Sequence, residues 1–114
     1  MEGQFPPQLR SHWSELLKEG QPLTFRKGQS LLYEGHTPYG IFVLQSGRVR
    51  FIKGSASCNA AEHLCPAPQG KVIGLHHFFS ETPFCCSCNA ETDCRLVFIS
   101  KTQLMSCMEP GTSR

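Results

Sequence analysis

Short apolar runs, cut by glycines at close intervals, leave this chain few ways to fold. Leu23 to Phe25, Ser30 to Tyr33, Ile41 to Leu44, Arg48 to Lys53, Val72 to Ile73 and Arg95 to Ser100 each have strand length. Gly28, Gly35, Gly47, Gly70 and Gly74 fall at their ends. Glycine suits such corners because it reaches positive φ without steric penalty. The series predicts a mainly β fold, an antiparallel β-barrel or jelly roll (double-stranded β-helix) with short flanking helices. Ile41 to Leu44 is continuously apolar and reads as the most buried strand. Arg48 to Lys53 alternates, so Val49 and Phe51 should face one way and Arg48 and Arg50 the other. Gln45-Ser46-Gly47 between them is expected to close a hairpin.

A chain of 114 residues favours one domain. The expected division is an arm and short helix over 1–20, the jelly roll over 21–108 and a frayed tail over 109–114. Residues 1–8 are Pro-rich and read as extended. Ser11 to Glu19 reads as a helix, with Trp13, Leu16 and Leu17 as its apolar stripe and Gly20 as its stop. The stretch 54–69 reads as a long hairpin or loop, Leu75 to Phe79 as one helical turn, and Phe84 to Ala90 as a strand. Lys101 to Met108 reads as a helix opened by Ser100 as N-cap. Trp13 and Tyr39 are expected to be packing residues.

The charge balance excludes several function classes. Eleven basic residues against nine acidic ones give a net charge of +2, with no basic cluster beyond Arg48, Arg50 and Lys53. These read as a solvated strand face, so this chain is not expected to contact nucleic acid. No apolar run approaches the roughly 20 residues a membrane helix needs, and residues 1–7 lack the basic start and apolar centre of a signal peptide. A cytoplasmic location follows, with the seven cysteines as reduced thiols. No nucleophile elbow, P-loop or Ser-His-Asp context occurs, Glu91 and Asp93 read as solvated strand-end carboxylates, and no enzyme is expected.

Phe25-Arg26-Lys27-Gly28 and Tyr33-Glu34-Gly35 are similar to the paired "KG…EG" turns of the cyclic nucleotide-binding domain family. Phe42-Val43-Leu44-Gln45-Ser46-Gly47-Arg48-Val49 is similar to its signature strand, turn and strand, and Gly70 and Gly74 to the glycines leading into its phosphate-binding cassette. The resemblance covers about residues 20 to 107, and points to sensor domains of the catabolite activator and fumarate-nitrate regulator type. In nucleotide-binding members, a glutamate after the cassette glycine holds the ribose and a later arginine pairs with the cyclic phosphate. Here Leu75 follows Gly74, and Pro83-Phe84-Cys85-Cys86-Ser87-Cys88 contains no arginine. A buried phosphate without a cation is unfavourable, so the cassette is degenerate and cyclic AMP or cyclic GMP is not expected to bind. Regulators of this kind continue into a dimerisation helix and a helix-turn-helix, and residues 1–114 carry no recognition helix.

The pocket implied by the resemblance is lined by Val72, Ile73, Gly74, Leu75, His76, Phe84, Cys85 and Cys86, with Leu44 or its neighbours. Three readings of the cysteines stay open. They are small buried hydrophobes, or a metal, haem or redox site with candidates Cys58, His63, Cys65, Cys86 and Cys88, or a Cys58–Cys65 disulfide across the loop. On a strand, Cys86 and Cys88 share one face and Cys85 the other. The family's iron-sulfur sensors carry their cysteines near the N-terminus, whereas here none precedes Cys58. His76-His77 lies in the pocket segment. The expectation is a regulatory ligand-sensing module, from or related to a transcription regulator, with no cofactor. Its partner is a small molecule, a protein or a second copy of the chain, and not a membrane. The alternatives are a metal, haem or redox sensor, and a structural interaction domain with a filled pocket.

Overall fold

The computed structural model describes residues 7–59 and 63–108. Nine strands and three helices follow one another as α1 (Pro7–Glu19), β1 (Gln21–Phe25), β2 (Ser30–Leu32), β3 (Gly40–Ser46), β4 (Val49–Lys53), β5 (Ala56–Cys58), β6 (Leu64–Ala67), β7 (Gly70–Ile73), α2 (Leu75–Ser80), β8 (Ser87–Ala90), β9 (Cys94–Ser100) and α3 (Lys101–Met108). They form two antiparallel sheets, one of order β1-β9-β3-β7-β6 and one of order β2-β8-β4-β5. This is the expected jelly roll, and its two sheets face each other rather than closing as one barrel.

Strand alternation builds two cores on either side of the larger sheet. Leu44, Ile73 and Leu96 point between the sheets, where they meet Leu31, Leu32, Val49, Phe51, Phe84, Cys86, Cys88, Ala90 and Cys94. Ile41, Val43, Val72, Val97 and Ile99 point the other way, onto Leu9, Trp13 and Leu16 of α1, Leu75 and Phe78 of α2 and Leu104 of α3. Val49 and Phe51 are buried and Arg48 and Arg50 exposed, as the alternation predicts. Both arginines lie beside Glu91, at 3.6 and 3.8 Å. Ser100 and Gln103 form a capping box: the Ser100 N–H donates to Gln103 Oε1 (3.0 Å) and the Gln103 N–H to Ser100 Oγ (3.3 Å). Gly20 closes α1 with its N–H on Leu16 O, 2.8 Å.

Several local expectations give way. Helix α1 begins at Pro7, a residue whose missing N–H is unneeded in a first turn, so only residues 1–6 of the expected extended arm lie outside the description. Gln45-Ser46-Gly47 is no hairpin, because β3 and β4 belong to different sheets. The chain crosses between sheets at Gly47, whose φ of 96° and contact with the Asp93 backbone exclude a side chain. The irregular stretch 54–69 also changes sheet: β5 pairs with β4, and β6 pairs with β7. The last-but-one strand starts at Ser87, since Phe84 exchanges backbone hydrogen bonds with the Gly35–His36 turn instead of a ladder. Tyr39 is 74% exposed, with its ring pointing out of a loop. The tail 109–114 lies outside the described residues.

Candidate functional site

The cassette runs from Gly74 through α2 to Cys86. Gly74 has φ 88°, and a Cβ there would stand 3.1 Å from the Phe84 ring. Left-handed backbone at Glu81 reverses the chain after α2. The return strand is pinned at its start by the Gly35 N–H on Phe84 O (2.8 Å) and the Phe84 N–H on His36 O (3.0 Å), and at Ser87 by the Glu34 N–H on Ser87 Oγ (3.0 Å). These bonds hold Cys85 and Cys86 at the mouth of the space between the sheets.

Thiols and imidazoles meet there. Cys86 Sγ lies 3.2 Å from Cys58 Sγ, 3.7 Å from His63 Nε2 and 3.8 Å from Cys85 Sγ. The donor atoms of Cys58, His63 and Cys86 all fall within 4.8 Å of one another. The His63 ring stacks on Phe51, with centroids 4.7 Å apart. Burial, then its contacts with Cys58 and Cys85, pushes the Cys86 thiol well above the ordinary cysteine range.

Beside them, His77 Nε2 stands 3.3 Å from Cys85 Sγ. Its tautomer follows from the hydrogen bonds behind it. The Ser80 hydroxyl donates to His76 O (2.8 Å), so Ser80 Oγ accepts the Thr82 proton (2.9 Å). Thr82 Oγ1 then accepts from His77 Nδ1–H (2.9 Å), which leaves a bare lone pair on Nε2 facing Cys85. Burial, with the nearby His76 and His63, holds His77 below the usual imidazole value and keeps it neutral.

No lysine or arginine is buried among the described residues. Lys53 reaches the Cys85 carbonyl oxygen at 3.4 Å, yet its ammonium lies 3.8 Å from Glu34 and is largely exposed. Thus the cassette offers thiols, imidazoles and apolar surface, and lacks a desolvated cation for a phosphate.

The family model for the cyclic nucleotide-binding domain matches residues 22–110. The chain belongs to that family. Solved structures of similar fold include a candidate cyclic nucleotide binding protein from Ruegeria pomeroyi DSS-3 (TM-score 0.69, 19% identity, 88% of this chain and 44% of that one). Catabolite activator protein from Thermus thermophilus has TM-score 0.69 at 18% identity, covering 92% of this chain and 51% of that one. The N-terminal domain of a transcriptional regulator from Streptomyces coelicolor A3(2) has TM-score 0.66 at 20% identity, covering 89% and 69%. At such identities the likeness is one of fold. The chain spans about half the length of the first two. No curated protein matches it.

Within this cyclic nucleotide-binding domain, the expected pocket residues separate. Ile73, Phe84 and Cys86 face the space between the sheets, together with Leu44, and half-buried Cys85 packs beside them. Val72 and Leu75 belong to the opposite, helix-side core, because Val72 alternates with Ile73 and Leu75 is the first turn of a helix lying on that face. His76 is exposed, and its neighbour His77 makes the contact instead. The two histidines sit equally far around α2 from the buried Leu75–Phe78 face, at about 100° per residue. Only the path of the returning chain chooses between them.

Of the metal candidates, Cys58, His63 and Cys86 converge. Cys65 packs against the helix-side core, and Cys88 is sealed between the sheets opposite Phe51. The Cys58–Cys65 disulfide is absent: both are free thiols, and Cys58 meets Cys86. A separate cleft of about 490 Å³ lies between the Tyr33–Gly40 loop and Phe42, Phe84 and Phe98, and Phe84 alone of the expected pocket residues lines it.

Proposed function

We propose that this cyclic nucleotide-binding domain is a non-catalytic, ligand-sensing regulatory module, from or related to a transcription regulator, that does not take cyclic AMP or cyclic GMP. The observation that carries the reading is how the cassette straddles the two cores. Phe84 and Cys86 belong to the core between the sheets, while Leu75 and Phe78 belong to the same cluster as Trp13 of α1 and Leu104 of α3. A ligand that engages Cys85 and Cys86 displaces the return strand. That displacement passes through α2 to the terminal helices, because close-packed cores transmit small shifts rather than absorb them. Two features argue against a cyclic nucleotide: Leu75 is buried where the family's glutamate would stand, and among the described residues no buried cation awaits the phosphate. The helices then signal to a protein partner or a second copy of the chain.

Trp13 is the only tryptophan, and it sits in the helix-side cluster with its Nε1–H donating to Pro68 O at 2.6 Å. Its emission therefore reports on the terminal helices. Titration with cyclic AMP and cyclic GMP, followed by Trp13 fluorescence and calorimetry, is expected to show no binding. Micromolar affinity for either nucleotide refutes the reading.

A further inference from the structure

We propose that Cys58, His63 and Cys86 form a binding site for a thiophilic metal ion, zinc above all. A tetrahedral zinc ion with Zn–S near 2.3 Å and Zn–N near 2.0 Å sets its donors roughly 3.5 to 3.8 Å apart. The observed separations around Cys86 are 3.2 Å to Cys58 and 3.7 Å to His63. The donor atoms of Cys58, His63 and Cys86 all lie within 4.8 Å of one another, so a small closure brings them to that spacing.

The donors are also chemically matched. Two thiolates with an imidazole suit zinc and exclude magnesium or calcium, which take oxygen ligands. The surroundings support the ligands in the way metal sites require. The His63 ring is fixed by its stack on Phe51. Cys86 is carried on the return strand that the Gly35–His36 turn pins in place.

The ligands come from separate parts of the fold: the end of β5 in the smaller sheet, the residue just before β6 of the larger sheet, and the cassette. An ion bound there fastens the cassette to both sheets. Binding proceeds with release of the thiol protons to solvent and formation of Zn–S and Zn–N bonds, with no change of oxidation state. That the ion is the signal the module senses rests on the regulatory reading above; that the ion binds does not.

The test uses the full chain, purified under reducing conditions, and titrates it with zinc and with cobalt(II) as a spectroscopic probe. The expected result is one ion per chain, a thiolate-to-cobalt charge-transfer band and the intense visible absorption of tetrahedral cobalt. At zinc concentrations a hundredfold above the dissociation constant, the melting temperature should rise by roughly 10 °C. Cys58→Ser, Cys86→Ser and His63→Ala should each weaken binding at least about tenfold, in line with loss of a ligand. Cys65→Ser, on the opposite face, should bind as the parent does and serves as the folding control. Retention of the cobalt spectrum in Cys58→Ser and Cys86→Ser overturns the site. So does a reduced protein with no zinc affinity, or one that only forms a Cys58–Cys86 disulfide in air. Hydrogen exchange in α3, measured with and without zinc, separates the two readings. Zinc that binds and protects α3 upholds both, whereas zinc that binds without altering α3 upholds the site and overturns its sensing role.

Discussion

Replacing Leu75 by glutamate restores, on paper, the acidic residue that follows the cassette glycine in nucleotide-binding relatives. The structure predicts loss of stability instead of gain of function. Leu75 is 7% exposed and packs with Val72, Phe78 and Leu104 on the helix side of the larger sheet, away from the space between the sheets. Removing its buried apolar surface costs about 2 kcal/mol. Burying a carboxylate in its place raises that group's pKa above its unfolded value near 4.3. A rise of about two units adds roughly 2.7 kcal/mol at pH 7.5. The sum, between about 4 and 5 kcal/mol, leaves a domain of ordinary stability folded but marginal. It lowers a urea midpoint by about 2 M.

The pH dependence identifies the cause. A folded pKa raised above the unfolded one means that the protonated form is favoured on folding, so the penalty is present in full above the raised pKa and fades as pH falls towards 4.3. Between pH 7.5 and pH 5 the deficit relative to the parent should shrink by about 1.5 kcal/mol. The assay is urea unfolding of both proteins at the two pH values, beside calorimetric titration with cyclic AMP. A Leu75→Glu protein as stable as the parent, with a pH-independent difference and newly acquired nucleotide affinity, refutes the reasoning. It would mean that position 75 faces the ligand space and that one substitution alone had silenced the cassette.

Two further outcomes follow from the packing. Gly47→Ala should lower the melting temperature by about 10 °C or more, because φ is 96° and the added Cβ would stand 2.4 Å from Asp93 O, whereas Gly54→Ala, at φ 62° with open space around it, should cost only about 1 kcal/mol in the same thermal scan. In a thiol-reagent count on the native, metal-free protein, Cys88 and Cys94 should stay silent, being 0% and 1% exposed, with burial pushing the Cys88 thiol up to about 12, and all seven thiols should react once denaturant is added.

The fold was legible because its signals are local. Glycine corners and period-two alternation at Arg48–Lys53 are properties of a few adjacent residues, and they survive folding unchanged. So is the capping pair Ser100 and Gln103, although only Ser100 reads as a cap from the sequence. What was not legible depends on which sheet a strand joins. Gln45-Ser46-Gly47 has hairpin composition, yet its flanking strands find other partners, and nothing in three residues encodes that choice. The pocket shows the same limit. Val72 and Ile73 are adjacent and equally apolar, and the pleat sends them to opposite cores. A list of pocket residues taken as a contiguous segment therefore mixes both faces.

The cysteines show how a single composition divides into different roles once the faces are known. Cys88 and Cys94 sit between the sheets as small apolar side chains, with Cys94 donating to the carbonyl oxygens of Arg48 and Thr92. Cys65 and Cys107 pack against the helix-side core, where burial raises both thiols. These four need no ligand to account for them, since free cysteine is among the most readily buried residues. Cys58, Cys85 and Cys86 differ because their sulfurs converge on one another and on two imidazoles at a mouth that the fold leaves partly open. Packing alone would bury thiols against carbon or leave them on backbone carbonyl oxygens, as at the other four positions. Two sulfurs 3.2 Å apart, with an imidazole nitrogen 3.7 Å from one of them, are better matched to a metal ion than to a core.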